Sequence, residues 1–352
     1  MGVSRQKRKT SIFFGLEITR RCNLRCPHCF TSSNGTAHAG PSREQVQELM
    51  AALVRVGARQ IAFSGGEPLV RKDLEKMMRD GLKLGLKGYS LVTNGFRADP
   101  ARVGRLRAAG LRSVQVSLDG VDERDHVGIR ACAPAAYYRA LKAIRVYREA
   151  GITVDVATIL VGPNLVRASE MTLLCRALGV RKLRYCSFVP TGRAAQGTIR
   201  GRHLADPEQA DAFLEQFRSY REEAKAAPDL IIDHGIGPWR ADGQFACVAG
   251  KKVAYITGEG DLYPCPSLMH EPFKVGNVYD TDLAELLARP QLHSVRRMGR
   301  KTLDEPCRSC AAPRCSGGCR GAAYAATGNV RAAPAYCNYQ RRSKAAVDRD
   351  GG

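Results

Sequence analysis

Ile18–Phe30 reads ITRRCNLRCPHCF and sets Cys22, Cys26 and Cys29 within eight residues. Three thiolates on one short loop can reach three corners of a cubane iron–sulfur cluster, leaving its fourth iron open to a small molecule. A Cys3His zinc site using His28 is the competing use of the same loop. Structural zinc asks for four tetrahedral protein ligands, and the adjacency of His28 to Cys29 makes their joint binding to one ion awkward. The chain has 13 Cys in 352 residues, an odd number too sparse for a disulfide-stapled secreted module. In a reducing compartment, clustered thiols read as metal ligands.

Outward from this loop, short β-rich runs alternate with helical patterns. Strands are expected at Phe13–Thr19, Gln60–Phe63, Tyr89–Thr93, Ser113–Leu118, Thr153–Leu160 and Lys182–Phe188. Helices are expected at Ser42–Val56, Asp73–Leu82, Pro100–Ala109, Ala136–Ala150 and Ala168–Leu178. Ser42 with Gln45 has capping-box form, and Gly110 and Gly151 mark helix ends. Six such units predict an α/β fold with a parallel sheet, its apolar strands covered on both faces. Six are too few for an eight-unit barrel, so the expectation is an open, partial (β/α)6 TIM-like barrel. Its ligand site should lie at the carboxyl ends of the strands. The unusual residues sit there: the thiol loop, Ser64-Gly65-Gly66-Glu67-Pro68, Asn94-Gly95 and Asp119-Gly120.

The second half has another texture. Residues 191–206 are Gly- and Arg-rich and read as a linker, and a helix is expected at Pro207–Ala226. From about 240, short segments are punctuated by Cys, Gly and Pro, as in a small domain held by metal. Cys247 and Cys265 form a wide pair; Cys307, Cys310, Cys315 and Cys319 fall within thirteen residues, and Cys337 follows. The expected division is a barrel over 1–200, a bridging helical region over 201–240, a small Cys-rich domain over 241–345 and a tail over 346–352. Cys132, Cys175 and Cys186 stand alone and read as small buried hydrophobes.

Cys22-x3-Cys26-x2-Cys29 after the first strand, with Gly-Gly-Glu-Pro after the second, resembles the radical S-adenosylmethionine (radical SAM) enzymes. The resemblance implies a [4Fe–4S] cluster on these three Cys, its open iron chelated by S-adenosylmethionine. One electron then yields a 5′-deoxyadenosyl radical that abstracts hydrogen. It further implies His28 near the adenine, and Gly65, Gly66 and Glu67 at the cofactor's ammonium. Asn94, Ser117 and Asp119 fall at positions that touch its ribose or carboxylate, and Arg130 at one that pairs with its carboxylate.

The later cysteines resemble the SPASM extension of that family, which implies two auxiliary [4Fe–4S] clusters. Cys307, Cys310, Cys315 and Cys337 would hold one; Cys247, Cys265 and Cys319 would hold the other, with a fourth site open or non-Cys. Four residues separate Cys310 from Cys315 where five are usual, which predicts a shortened loop. A zinc ribbon over Cys307–Cys319 would leave Cys247, Cys265 and Cys337 without roles. In sulfatase-maturing members an Asp acting as base follows the Cys matching Cys265; here it is Pro266. The stretches Tyr263–Asn277 and Cys315–Cys319 are similar to the maturases of mycofactocin and pyrroloquinoline quinone. Thr191-Gly192-Arg193 is similar to haem-side-chain enzymes.

These resemblances imply oxidation or decarboxylation of a ribosomal peptide precursor. The alternative is decarboxylation, dehydrogenation or epimerisation of a small-molecule acid. With the first cluster Cys at position 22, no leader-binding domain of roughly 80–100 residues is expected ahead of it. A net charge of +21 suits an anionic peptide or small-molecule substrate and a flavodoxin- or ferredoxin-type electron donor. A zinc-stabilised nucleic-acid-binding module is the reading from another class. The basic residues are spread along the chain with no RNA-binding motif, which disfavours it. No apolar run is long enough to span a membrane, and the Lys7–Lys9 cluster opens no signal peptide, so a cytoplasmic location is expected.

Overall fold

In the computed structural model, residues 12–196, 212, 213, 216, 229–233, 247–311, 315–334 and 337 are described. β1 (Phe13–Glu17), β2 (Gln60–Ser64), β3 (Gly88–Thr93), β4 (Leu111–Ser117), β5 (Thr153–Leu160) and β6 (Lys182–Ser187) pair in chain order, all parallel. The helices α1 (Arg43–Arg55), α2 (Leu74–Leu84), α3 (Pro100–Ala108), α4 (Glu123–Arg130), α5 (Ala135–Glu149), α6 (Gly162–Leu165) and α7 (Ala168–Ala177) connect them. This is the open six-unit partial barrel expected from the alternation. Ser42 caps α1 through both bonds of a capping box, which fixes where the thiol loop ends.

The sheet is wider than six strands. β7 (Asp229–Asp233) adds in parallel to β6, within the stretch read from sequence as a helical bridge. β8 (Val253–Ile256) pairs in parallel with β1, matching Phe14 to Ala254 and Leu16 to Ile256. β9 (Asp261–Tyr263) and β10 (Gly276–Asn277) then continue antiparallel, giving the order β10-β9-β8-β1-β2-β3-β4-β5-β6-β7. The Cys-rich segment thus hydrogen-bonds directly to the strand that launches the thiol loop.

Coverage on both faces, expected for all the strands, holds for β2, where Ile61 to Ser64 are all buried, but not for β5. β5 alternates: Val154, Val156, Thr158 and Leu160 are buried against the helices, while the residues between them are only half-buried. An open barrel leaves its concave face incompletely filled, and that half-open face borders the strand ends where the site lies. α4 went unread in the sequence. Asp122 caps it, accepting from the Asp125 backbone N–H at 2.9 Å, and it delivers Arg130 to the interior. Of the helix expected at Pro207–Ala226, positions 212, 213 and 216 alone are described, and they are helical; the tail after 345 lies outside the described residues. Among the described residues no helix is long and apolar enough to cross a membrane. Cys175 is buried as expected, whereas Cys132 and Cys186 are only half-buried.

Candidate functional site

The loop between β1 and α1 is tied down at its ends and its middle by two arginines from elsewhere. Arg71 Nη1 donates to the carbonyls of Ile18 (2.8 Å) and Pro41 (2.7 Å), the two ends of the loop. Asp73 holds that guanidinium through a fork of 2.9 and 2.6 Å. Arg193 holds the middle: Nη1 donates to Cys26 O (2.6 Å), and Nη2 to Ser32 O (2.8 Å) and Ser33 O (2.7 Å). Its residue pair Thr191-Gly192 belongs to the stretch read as a linker, yet it docks on the thiol loop, and a β-carbon at Gly192 would collide with the Phe30 carbonyl.

The loop after β2 closes over the same segment. Gly66 N–H donates to Thr19 O (2.7 Å) and Glu67 N–H to Arg21 O (2.9 Å). Gly65, at φ +126°, and Gly66 must be glycine because a β-carbon would strike the Thr19 and Arg21 carbonyls respectively. The Glu67 carboxylate is fully buried and turned inward. It accepts from Thr93 Oγ1 (2.7 Å), Asn94 N–H (2.7 Å) and Leu69 N–H (3.0 Å), lacing the ends of β2 and β3 together.

Donors converge on the thiols. Cys22 Sγ accepts from Leu24 N–H (3.4 Å) and Asn94 Nδ2 (3.8 Å), and Cys26 Sγ from Arg130 Nη1 (3.6 Å). Cys29 Sγ meets Thr31 Oγ1 at 3.3 Å. Burial pushes the Cys22 thiol up to about 12 and raises Cys26 as well, with Arg130 opposing the latter. Such thiolates are costly on their own and suit ligands whose negative charge a metal centre offsets. Among the described residues no group of three His, Cys, Asp or Glu side chains is placed to share one metal ion. A cubane makes no such demand, since each of its irons takes its own thiolate.

Asp119, Arg130 and His28, predicted separately, meet behind Cys26. Arg130 Nε lies 2.7 Å from Asp119 Oδ2, and His28 Nε2 lies 3.7 Å from the same oxygen. Burial raises the Asp119 carboxyl, but Arg130, His28 and His126 outweigh it and hold the group below the usual carboxylate range. His126, unread in the sequence, accepts from the Asp119 N–H through Nδ1 at 3.2 Å. Ser117 ends β4 beside Ala157. Cys132 lies within electrostatic reach of Cys26, Asp119 and Arg130.

The later cysteines fall into two groups. Cys307 shares electrostatic contact with Cys310, Cys315 and Cys337. Arg300 draws the carbonyls of Cys310 (2.6 Å) and Cys315 (2.7 Å) together, across the short gap whose residues 312–314 lie outside the described set. Cys265 shares such contact with Cys247 and Cys319. Cys319 caps the helix Arg320–Thr327, its sulfur accepting from Ala322 N–H at 3.3 Å. A β-carbon at Gly321 would collide with the Ser267 carbonyl, so this glycine lets the helix approach the turn that carries Cys265.

Comparison with known proteins agrees with this geometry. The model of the radical SAM superfamily matches residues 16–173, and that of the SPASM iron–sulfur cluster-binding domain matches 247–311. A PqqA peptide cyclase from Gluconobacter oxydans is 30% identical over 94% of this chain and 92% of its own. An AdoMet-dependent heme synthase from Oleidesulfovibrio alaskensis is 29% identical over 95% of this chain and 88% of its own. Among solved structures, anSMEcpe with bound AdoMet superposes at a TM-score of 0.75 and 18% identity, covering 94% of this chain and 95% of that one.

Proposed function

This chain belongs to the radical SAM superfamily, in the branch with a SPASM iron–sulfur domain, and from that premise we propose that Cys22, Cys26 and Cys29 hold its S-adenosylmethionine-binding [4Fe–4S] cluster. When bound, that pair of groups supplies one-electron cleavage of the sulfonium and a 5′-deoxyadenosyl radical able to abstract hydrogen from an unactivated carbon. The observation that carries the assignment is the convergence of Asn94 and Arg130 on two of the three sulfurs, at the carboxyl ends of the strands.

In this reading Arg71 and Arg193 hold the loop in register, and Gly65, Gly66 and Glu67 bring the backbone close enough to receive the cofactor's ammonium. His28 lies beside the adenine, while Asn94, Ser117, Asp119 and Arg130 line its ribose and carboxylate. Cys307, Cys310, Cys315 and Cys337 hold one auxiliary [4Fe–4S] cluster, and Cys247, Cys265 and Cys319 the other.

The substrate is a peptide precursor that the enzyme oxidises or decarboxylates; the PqqA peptide cyclase relative supports the peptide part of this reading. The heme synthase relative supports a second reading, a small-molecule acid. Both substrates are anionic, as the charge of +21 favours, and electrons come from a flavodoxin- or ferredoxin-type donor. Comparative profiling of peptides and metabolites, with and without the gene, separates the two. Loss of a modified peptide supports the first; build-up of an unmodified small acid, with peptides unchanged, overturns it.

A further inference from the structure

The C-terminal segment contains a charge that no part of the proposed function uses. Arg320, the residue after Cys319, is fully buried. A buried guanidinium is very costly unless it is paired, and Asp and Glu are the usual partners. Arg320 has no such partner among the described residues. Its Nη1 donates to the carbonyls of Val330 (3.1 Å) and Ala332 (2.9 Å), and its Nε makes a long contact with Gly318 O (3.5 Å). Its Nη2 is buried with no hydrogen-bond partner among the described residues.

The groups around it that can carry negative charge as ligands are cysteine thiols. Arg320 interacts electrostatically with Cys307 and Cys315 from one predicted ligand set and with Cys247 and Cys319 from the other. Nη2 lies over the Cys315–Cys319 turn, where a β-carbon at Gly317 would come within 3.1 Å of it. Gly317 sits at φ +92°, and a β-carbon there would also strike Leu303 Cδ1, so the glycine lets the turn pack closely beside the guanidinium and Leu303.

We propose that Arg320 is the counter-charge shared by the two auxiliary clusters, with Nη2 donating to a cluster or ligand sulfur. A cluster with its thiolates is a buried anion rich in weak acceptors, which answers both the missing partner and the missing negative charge. A fixed positive charge and a hydrogen bond to sulfur favour the reduced cluster, so Arg320 raises the auxiliary reduction potentials. The inference rests on the cluster reading given above.

The test uses the full chain, reconstituted anaerobically, as parent, Arg320→Gln and Arg320→Lys. Iron is counted, and each cluster is followed by EPR in a redox titration. Roughly twelve irons in the parent, three cubanes' worth, establish the cluster reading by themselves; a parent without iron sinks that reading, not this one alone. The expected result is a shift of both auxiliary potentials to more negative values in Arg320→Gln, a smaller shift in Arg320→Lys, and no shift of the cluster on Cys22, Cys26 and Cys29. Selective loss of the auxiliary iron in Arg320→Gln but not in Arg320→Lys supports the same role, since Lys keeps the charge. Unchanged auxiliary potentials in Arg320→Gln overturn it. So does equal loss of auxiliary iron in both variants, which would make Arg320 a peg for the Val330 and Ala332 carbonyls and nothing more.

Discussion

Arg193 gathers three carbonyls of the thiol loop with one guanidinium. Arg193→Ala should destabilise the protein by about 1.5–3 kcal/mol, as for hydrogen bonds to a charged group, and should release iron from the first site before the later ones. Chemical denaturation and iron counts check it; full iron retention would reduce Arg193 to a surface contact. Asp73 adds a pH dependence. The Arg71 fork holds its carboxyl below the usual range, so the contribution is present above the unfolded value of about 3.9 and is lost as pH falls through the lower folded value. The melting temperature of Asp73→Asn should therefore trail the parent's at neutral pH and meet it under acid. Cysteine spacing marks the candidate ligands in the sequence, and Arg193 stands in the motif Thr191-Gly192-Arg193 with its grip on the loop unread, but Arg71 and Arg320 were hidden among 55 Lys and Arg, because burial and long-range contact leave no local pattern.

The elements that were legible are those built from local signals. β1 to β6 and their main helices declare themselves by apolar period and caps, to within about two residues at most ends. α4 was missed because its eight residues carry little apolar period, and β8 because four residues are too few to show one. β8 is placed by pairing with β9 beside it and with β1, a strand more than two hundred residues away. The close approach of the helix Arg320–Thr327 to the Cys265 turn is likewise invisible until Gly321 meets Ser267. Gly321→Ala should push that helix away, costing about 1–3 kcal/mol and loosening iron at Cys247, Cys265 and Cys319 while the first site keeps its own. Equal iron at every site in this variant would show that the approach is not needed.

At the scale of the molecule, one sheet joins the thiol loop to the Cys-rich segment through β1 and β8. Residues 1–246 alone would leave β1 as an unpaired edge, so this fragment should aggregate, with size-exclusion chromatography as the measure. The charge of +21 predicts that reduction by an acidic flavodoxin-type donor slows by about tenfold or more as salt rises, whereas reduction by dithionite should respond far less. The most direct test of the whole account is to reconstitute the parent and the triple variant Cys22→Ala, Cys26→Ala, Cys29→Ala side by side, then add S-adenosylmethionine and dithionite. The parent should release 5′-deoxyadenosine, and the variant should lose about four irons and all of that release while keeping the remaining iron. Equal release from both proteins, or a colourless parent holding zinc, would contradict it.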